Sequence, residues 1–179
     1  MLSIDPLGLD GDMLDGVRAY LRVESAEEDA SLGAIILAAI GHAERFTGQI
    51  LLRRGAREIL TAGSGWRTLS AFPIVSVTGV AGIPAEGAKF ALAPGAWEAK
   101  IGSRGEAHFR VLQPGSAGRV EVAVQAGLAA DWDALPEVLR LALLRLVGHF
   151  YAHRDASDDA GPPFAVVTLL RPWRRMRLS

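Results

Sequence analysis

The stretch LPEVLRLALLRLVGHFYAHRDA, residues 135–156, decides how the chain is to be read. Leu139, Leu143, Leu146 and Phe150 recur at helical spacing and form one apolar face. Pro136 suits a first turn, and Asp133 just upstream is the expected N-cap of a helix running to about Arg154. The opposite face is not polar: Leu141, Leu144, Gly148, Tyr151 and Ala152 lie there, with Arg140, Arg145 and Arg154 between the faces. A helix apolar on two sides needs cover on two sides. In a chain of 179 residues, one face is expected to meet the subunit's own core and the other a neighbouring subunit, through Leu141, Leu144 and Tyr151.

The same helix ends in HFYAH, so His149 and His153 sit four apart on one side. Zinc proteases use this spacing with a Glu directly after the first His, but here Phe150 stands in that place. Asp155, Asp158 and Asp159 follow in what reads as a solvated loop, and the expectation is no metal. The chain has no cysteine, which removes disulfides, Cys-ligated zinc, iron–sulfur clusters and thiol nucleophiles together. There is no GxSxG elbow, and GSG at 63–65 lacks the spacing of a dinucleotide or phosphate loop. Adjacent carboxylates at Glu27 and Glu28, or Asp158 and Asp159, read as solvated charges, and His42 as an edge histidine. No catalytic residue, no cofactor and no enzymatic activity are expected.

Half of the residues are hydrophobic, enough for one buried core, or for one domain carrying an insertion. The start MLSIDPLGLDGD has no signal-peptide pattern and no apolar run approaches membrane-spanning length, so a cytoplasmic, soluble protein is expected. A first helix is predicted from about Asp12 to Val23, capped by Asp10 or Asp12, with Leu14, Val17 and Leu21 on one stripe. A second begins at SAEE, where Ser25 and Glu28 have capping-box spacing, and stops at Gly48. Its apolar face is Leu32, Ile35, Ile36, Ala39, Ala43 and Phe46. Between Arg57 and Gln125 helical periodicity disappears and glycine becomes frequent. Strands are predicted at 58–60, 73–80, 89–93, 97–101, 108–112 and 119–125, joined as a meander of hairpins. The fold class is therefore α+β: a helical bundle from residues 1–56 and 127–179, with a small antiparallel β region, 57–126, inserted into it.

Net charge is −1, but unevenly spread. Residues 1–33 carry eight Asp and Glu against Arg18 and Arg22. The last segment, LLRPWRRMRLS, carries Arg171, Arg174, Arg175 and Arg177 around Trp173 with no acidic side chain. A short helix or turn, FAVVTLLRPW, is expected to be cut by Pro172 and to leave Trp173 presented at the chain's end, either to nucleic acid or to an acidic protein groove.

The order of these pieces carries a resemblance. VRAYLRV (17–23), a capped helix ending AERFTG (43–48), PIVSVTGV (73–80), VEVAVQAGLAADWDALPEVLRLALLRLVGHFYAHRD (120–155) and LLRPWRRMRLS (169–179) together resemble the head–tail connector (adaptor) family of tailed bacteriophages and gene transfer agents. The likeness covers nearly the whole chain and is strongest over 17–48 and 119–178. It implies a homo-oligomeric ring, usually a dodecamer, docked beneath the portal protein in the neck of a particle after assembly in the bacterial cytoplasm. Such a ring extends the channel through which DNA passes without sequence-specific binding, receives a tail-completion or stopper protein, and involves no membrane. By the same resemblance Leu169, Leu170, Arg171, Trp173, Arg174, Arg175 and Arg177 form the portal-binding element. The β insertion departs from the shorter, all-helical members and has no role assigned by the likeness. Two other readings remain: a nucleic-acid-binding module using the arginine tail, and a metal-dependent hydrolase using HFYAH.

Overall fold

A computed structural model of the chain describes residues 1–154 and 161–175. Within them the fold is α+β, with four α-helices and two antiparallel sheets. Two compact units share the chain: Met1–Pro6 with Arg53–Leu128, and Leu7–Leu52 with Ala129–Ser179. The first six residues thus count with the sheets, because Leu2–Ile4 (β1) pairs antiparallel with Arg54–Thr61 (β2). That strand has no signal of its own in a three-residue sequence.

The β unit contains β1, β2, Arg67–Thr68 (β3), Ile74–Pro84 (β4), Phe90–Ala91 (β5), Trp97–Ile101 (β6), Ala107–Val111 (β7) and Ala117–Ala126 (β8). The predicted meander is not what forms. The larger sheet has the order β1-β2-β8-β4-β5, so the last strand lies between the two earlier ones, and a separate sheet has the order β3-β7-β6. Val120, Val122, Val124 and Ala126 are fully buried in alternation with half-exposed Glu121, Ala123 and Gln125. Ten residues long, β8 pairs along both edges, with β2 on one side and with β4 on the other. Register shifts at Ile74/Ser76, Val77/Gly79 and Ile83/Pro84 bend β4 along it. Buried Glu58 on β2 has its carboxylate satisfied by Ser70, whose N–H and hydroxyl each donate at 2.7 Å.

The helical unit contains Gly11–Leu21 (α1), Asp29–Thr47 (α2), Glu137–Ala152 (α3) and Phe164–Leu170 (α4). Asp10 caps α1 by accepting from the Met13 N–H at 2.7 Å, and Arg22 ends it in the left-handed region at φ 58°. The capping box expected at α2 does not close. Ser25 instead caps the short 3-10 turn Ala26–Glu28 through the Glu27 N–H, while the Glu28 carboxylate points to α3. Gly48 ends α2 at φ 70°, as its sequence signal implies. The expected N-cap of α3 also differs: Pro136 occupies that position without a side-chain cap, and Asp133 lies 3.4 Å from the Arg140 guanidinium. The core of this unit comprises Met13 and Val17 from α1, Leu32, Ile36, Ala39 and Ala43 from α2, Leu139, Leu143 and Leu146 from α3, and Val166 and Leu170 from α4.

Candidate assembly surfaces

The faces of α3 show how much of the sequence-based interface stays open in one subunit. On its second side, a side chain added at Gly148 would meet Tyr20 and Leu21 of α1 at 3.4 and 3.6 Å. The Tyr151 hydroxyl donates to Glu28 Oε2 at 2.7 Å, and the Arg154 guanidinium lies over the Tyr151 ring, 4.7 Å from its centre. Tyr151 is therefore half-buried and held within its own chain, and Leu144 is half-buried as well. Val138 and Leu141 remain exposed, at 45% and 37%. Of Leu141, Leu144 and Tyr151, Leu141 alone is open to solvent. Helical spacing tells which residues share a face; it does not tell which neighbour covers them.

A second surface lies on α2. No charged residue occurs from Ala30 to Ala43, yet Ala30, Ser31, Ala34, Leu37 and Ala38 follow helical spacing and are exposed. The core side of this helix matches its sequence reading at Leu32, Ile36, Ala39 and Ala43, with Ile35 and Phe46 half-buried. Its uncharged solvent side was not read from the sequence. The available signal was the fourteen-residue gap between Asp29 and Glu44, since helices apolar all round are normally covered all round.

The C-terminal segment is folded where the sequence suggests a free end. Leu170 is buried in the helical unit and Leu169 half-buried. Pro172 does not end the structure: it sits in the first turn of a 3-10 helix, Arg171–Trp173, that continues from α4 and where its missing N–H costs nothing. The Trp173 carbonyl accepts from Gln49 Nε2, and the Arg175 N–H donates to the Thr47 carbonyl at 2.7 Å, satisfying an orphan acceptor at the end of α2. Trp173 is half-buried, while Arg171 and Arg174 are exposed, the latter 5.9 Å over the Phe46 ring. Arg177 lies outside the described residues. Neither Leu170 nor Trp173 is a freely projecting anchor.

The two histidines of HFYAH do come together. Their rings are 4.4 Å apart between centres, and His153 Nδ1 is 2.8 Å from the His149 carbonyl. Among the described residues no group of three His, Cys, Asp or Glu side chains could hold a metal, and Asp155, Asp158 and Asp159 lie outside them. His42 contacts Phe150 edge-on at 6.2 Å; burial, and next the Arg45 charge, lower its pKa from the ordinary 6.5. Among the described residues no helix is long and apolar enough to cross a membrane.

Among the solved structures that resemble the whole chain are three of gene transfer agent particles. A chain in the neck of a native gene transfer agent (GTA) particle computed with C12 symmetry is 30% identical, with a TM-score of 0.76 over all of this chain and 97% of that one. The chain belongs to the same family as this GTA neck chain. The neck of an empty GTA particle computed with C6 symmetry gives 29% identity and a TM-score of 0.80, and the virion of a native GTA particle 29% and 0.78, each over all of this chain and 97% of that one. No protein-family model matches the chain, and no curated protein does. The GTA neck structures thus support the coarse part of the family resemblance, a component of a phage-like neck, on a fold that combines helices with antiparallel sheets.

Proposed function

We propose that the chain is a structural adaptor subunit of a phage-like neck: copies form a ring, twelve-fold, that docks on the portal, extends the DNA channel and receives the tail-completion protein. The observation that carries this reading is the full-length likeness to a neck chain in a particle computed with C12 symmetry. The uncharged outer side of α2 and the exposed Val138 and Leu141 of α3 support association, because a lone subunit leaves them wet. Arg171 and Arg174, with the rim of Trp173, are the part of the C-terminal segment open to an acidic portal surface, where bidentate guanidinium contacts would supply specificity. In this reading the helices act as a bundle that bears the ring contacts, and Leu141, with Leu144 beside it, lies in the subunit interface.

The arginine segment is a poor free tail for nucleic acid, since residues up to Arg175 are packed on α2. The test is negative-stain microscopy of purified protein with and without the portal of the same particle. Rings seated on the portal are expected. Chains that remain monomeric on an intact portal would refute the reading.

A further inference from the structure

The β3-β7-β6 sheet carries a built surface that neither the core nor the readings above use. Its inner side is the buried row Ala107, Phe109 and Val111. On its outer side Trp66, 39% exposed, is flanked by the Lys100 ammonium at 4.7 Å and the Arg110 guanidinium at 4.6 Å from its ring centre. Arg110 is held in place by Glu98, 2.6 Å away, whereas Lys100 has no carboxylate partner among the described residues. Exposed His108 bonds Thr68 at 3.2 Å in the next row. An exposed indole held against two cations is the kind of side-chain set enriched at protein interfaces, because it offers rigid apolar area and oriented charge together.

The chain's charge is divided along the same lines. The β unit holds nine Lys and Arg against six Asp and Glu, and the helical unit ten against fourteen. Part of the acidic excess lies on α1, where Asp12, Asp15 and Ala19 form an exposed row with Tyr20, itself 45% exposed, beside it. Asp12 makes no ion pair among the described residues, and Asp15 only a long one to Arg18 at 3.6 Å. A ring built from one kind of chain needs two different, complementary patches on each copy.

We infer that the Trp66–Lys100–Arg110 face of one copy docks on the acidic α1 row, Asp12, Asp15 and Tyr20, of the next copy. This rests on the ring reading and specifies its lateral contact. A second copy is the occupant the charges select, because the Lys100–Arg110 face and the Asp12–Asp15 row are opposite in sign on the same chain, as a head-to-tail ring contact requires.

The test is a charge exchange in the full chain, read as ring assembly on the portal by electron microscopy and sedimentation. Lys100→Glu and Asp12→Lys should each reduce assembly about tenfold or more, as like charges are brought together at the contact. Combined in one chain they should restore it, and Trp66→Ala should weaken it without rescue by either. Assembly should also fall with added salt. Wild-type chains that never form rings would sink both this inference and the reading it rests on. Rings formed normally by Lys100→Glu, or a double variant no better than the singles, would overturn the inference alone. Normal rings from a Lys100→Glu protein that has lost salt-sensitive binding to double-stranded DNA would assign the face to nucleic acid instead and overturn it too.

Discussion

Removing residues 171–179 is the natural test of portal docking, and the structure predicts that it fails as a clean test because the segment also stabilises the subunit. The truncation deletes the Arg175 N–H bond to the Thr47 carbonyl and the Gln49 bond to the Trp173 carbonyl. Each contributes about 1 kcal/mol net. Half-burial of a Trp removes roughly 100 Å² from water, worth about 2.5 kcal/mol at 25 cal/mol per Å². The loss is then about 4.5 kcal/mol, a large share of the roughly 5–15 kcal/mol by which a domain is stable. Urea unfolding of the truncated and full chains, followed by tryptophan fluorescence and circular dichroism, measures it. A change below about 1 kcal/mol would mean that the segment does not rest on α2 in solution, and the packing argument would be refuted. The docking test therefore belongs to Arg171→Glu with Arg174→Glu, exposed changes expected to cost only about 0.5 kcal/mol of stability yet to abolish attachment to the portal.

Four further outcomes follow from single contacts. Leu141→Asp, at an exposed position, should leave the subunit folded and prevent rings on the portal; normal rings from a folded variant would remove α3 from the interface. Glu58→Ala should destabilise by roughly 1–2 kcal/mol in denaturant titration, since it removes the two hydrogen bonds that tie Ser70 to the buried carboxylate; Glu58→Gln should cost less. Gly105→Ala should cost more than about 2 kcal/mol, because φ is +85° and the new Cβ would come 2.9 Å from Pro73 Cα; an unchanged melting temperature would contradict that backbone. His42 has its pKa lowered in the fold, so neutral His42 contributes fully above its unfolded value of 6.5 and that contribution is lost as pH falls through the folded value; His42→Gln should flatten stability over that acid range, and parallel pH curves for the two proteins would contradict the shift.

The helices were legible in the sequence because each carries a local signal. Asp10 before α1, the apolar period of α2 with Gly48 behind it, and the Leu139–Leu143–Leu146 row of α3 act over one or two turns and need no knowledge of the rest of the chain. The strands were legible for a similar reason, as the alternation of Val120, Val122 and Val124 shows, but their order was not. Which strands flank β8 depends on pairings such as Glu58 with Val122 and Val80 with Val122, made between strands far apart in sequence with other strands between them, and nothing local encodes them. The caps at Ser25 and Asp133 misled because short polar side chains have several local partners, and tertiary neighbours decide among them.

The candidate assembly surfaces were half legible, for a reason that bears on how the proposed ring is tested. Spacing showed that α3 has more apolar surface than one core needs, but α1 and Glu28 take up part of the excess at Gly148 and Tyr151. The unclaimed surface lies toward Val138 and Leu141 and on the uncharged side of α2. A Tyr151 variant would therefore first break a hydrogen bond inside the subunit, and its effect on rings could arise from either source. Leu37→Lys on α2 has no such ambiguity: Leu37 is 38% exposed and sits in a charge-free row, so the change should leave stability within about 0.5 kcal/mol. If α2 is buried between subunits, the same lysine must be desolvated there and rings should not form. Rings formed normally by Leu37→Lys would leave α2's outer side wet in the assembly and confine the contact to α1, α3 and the β unit.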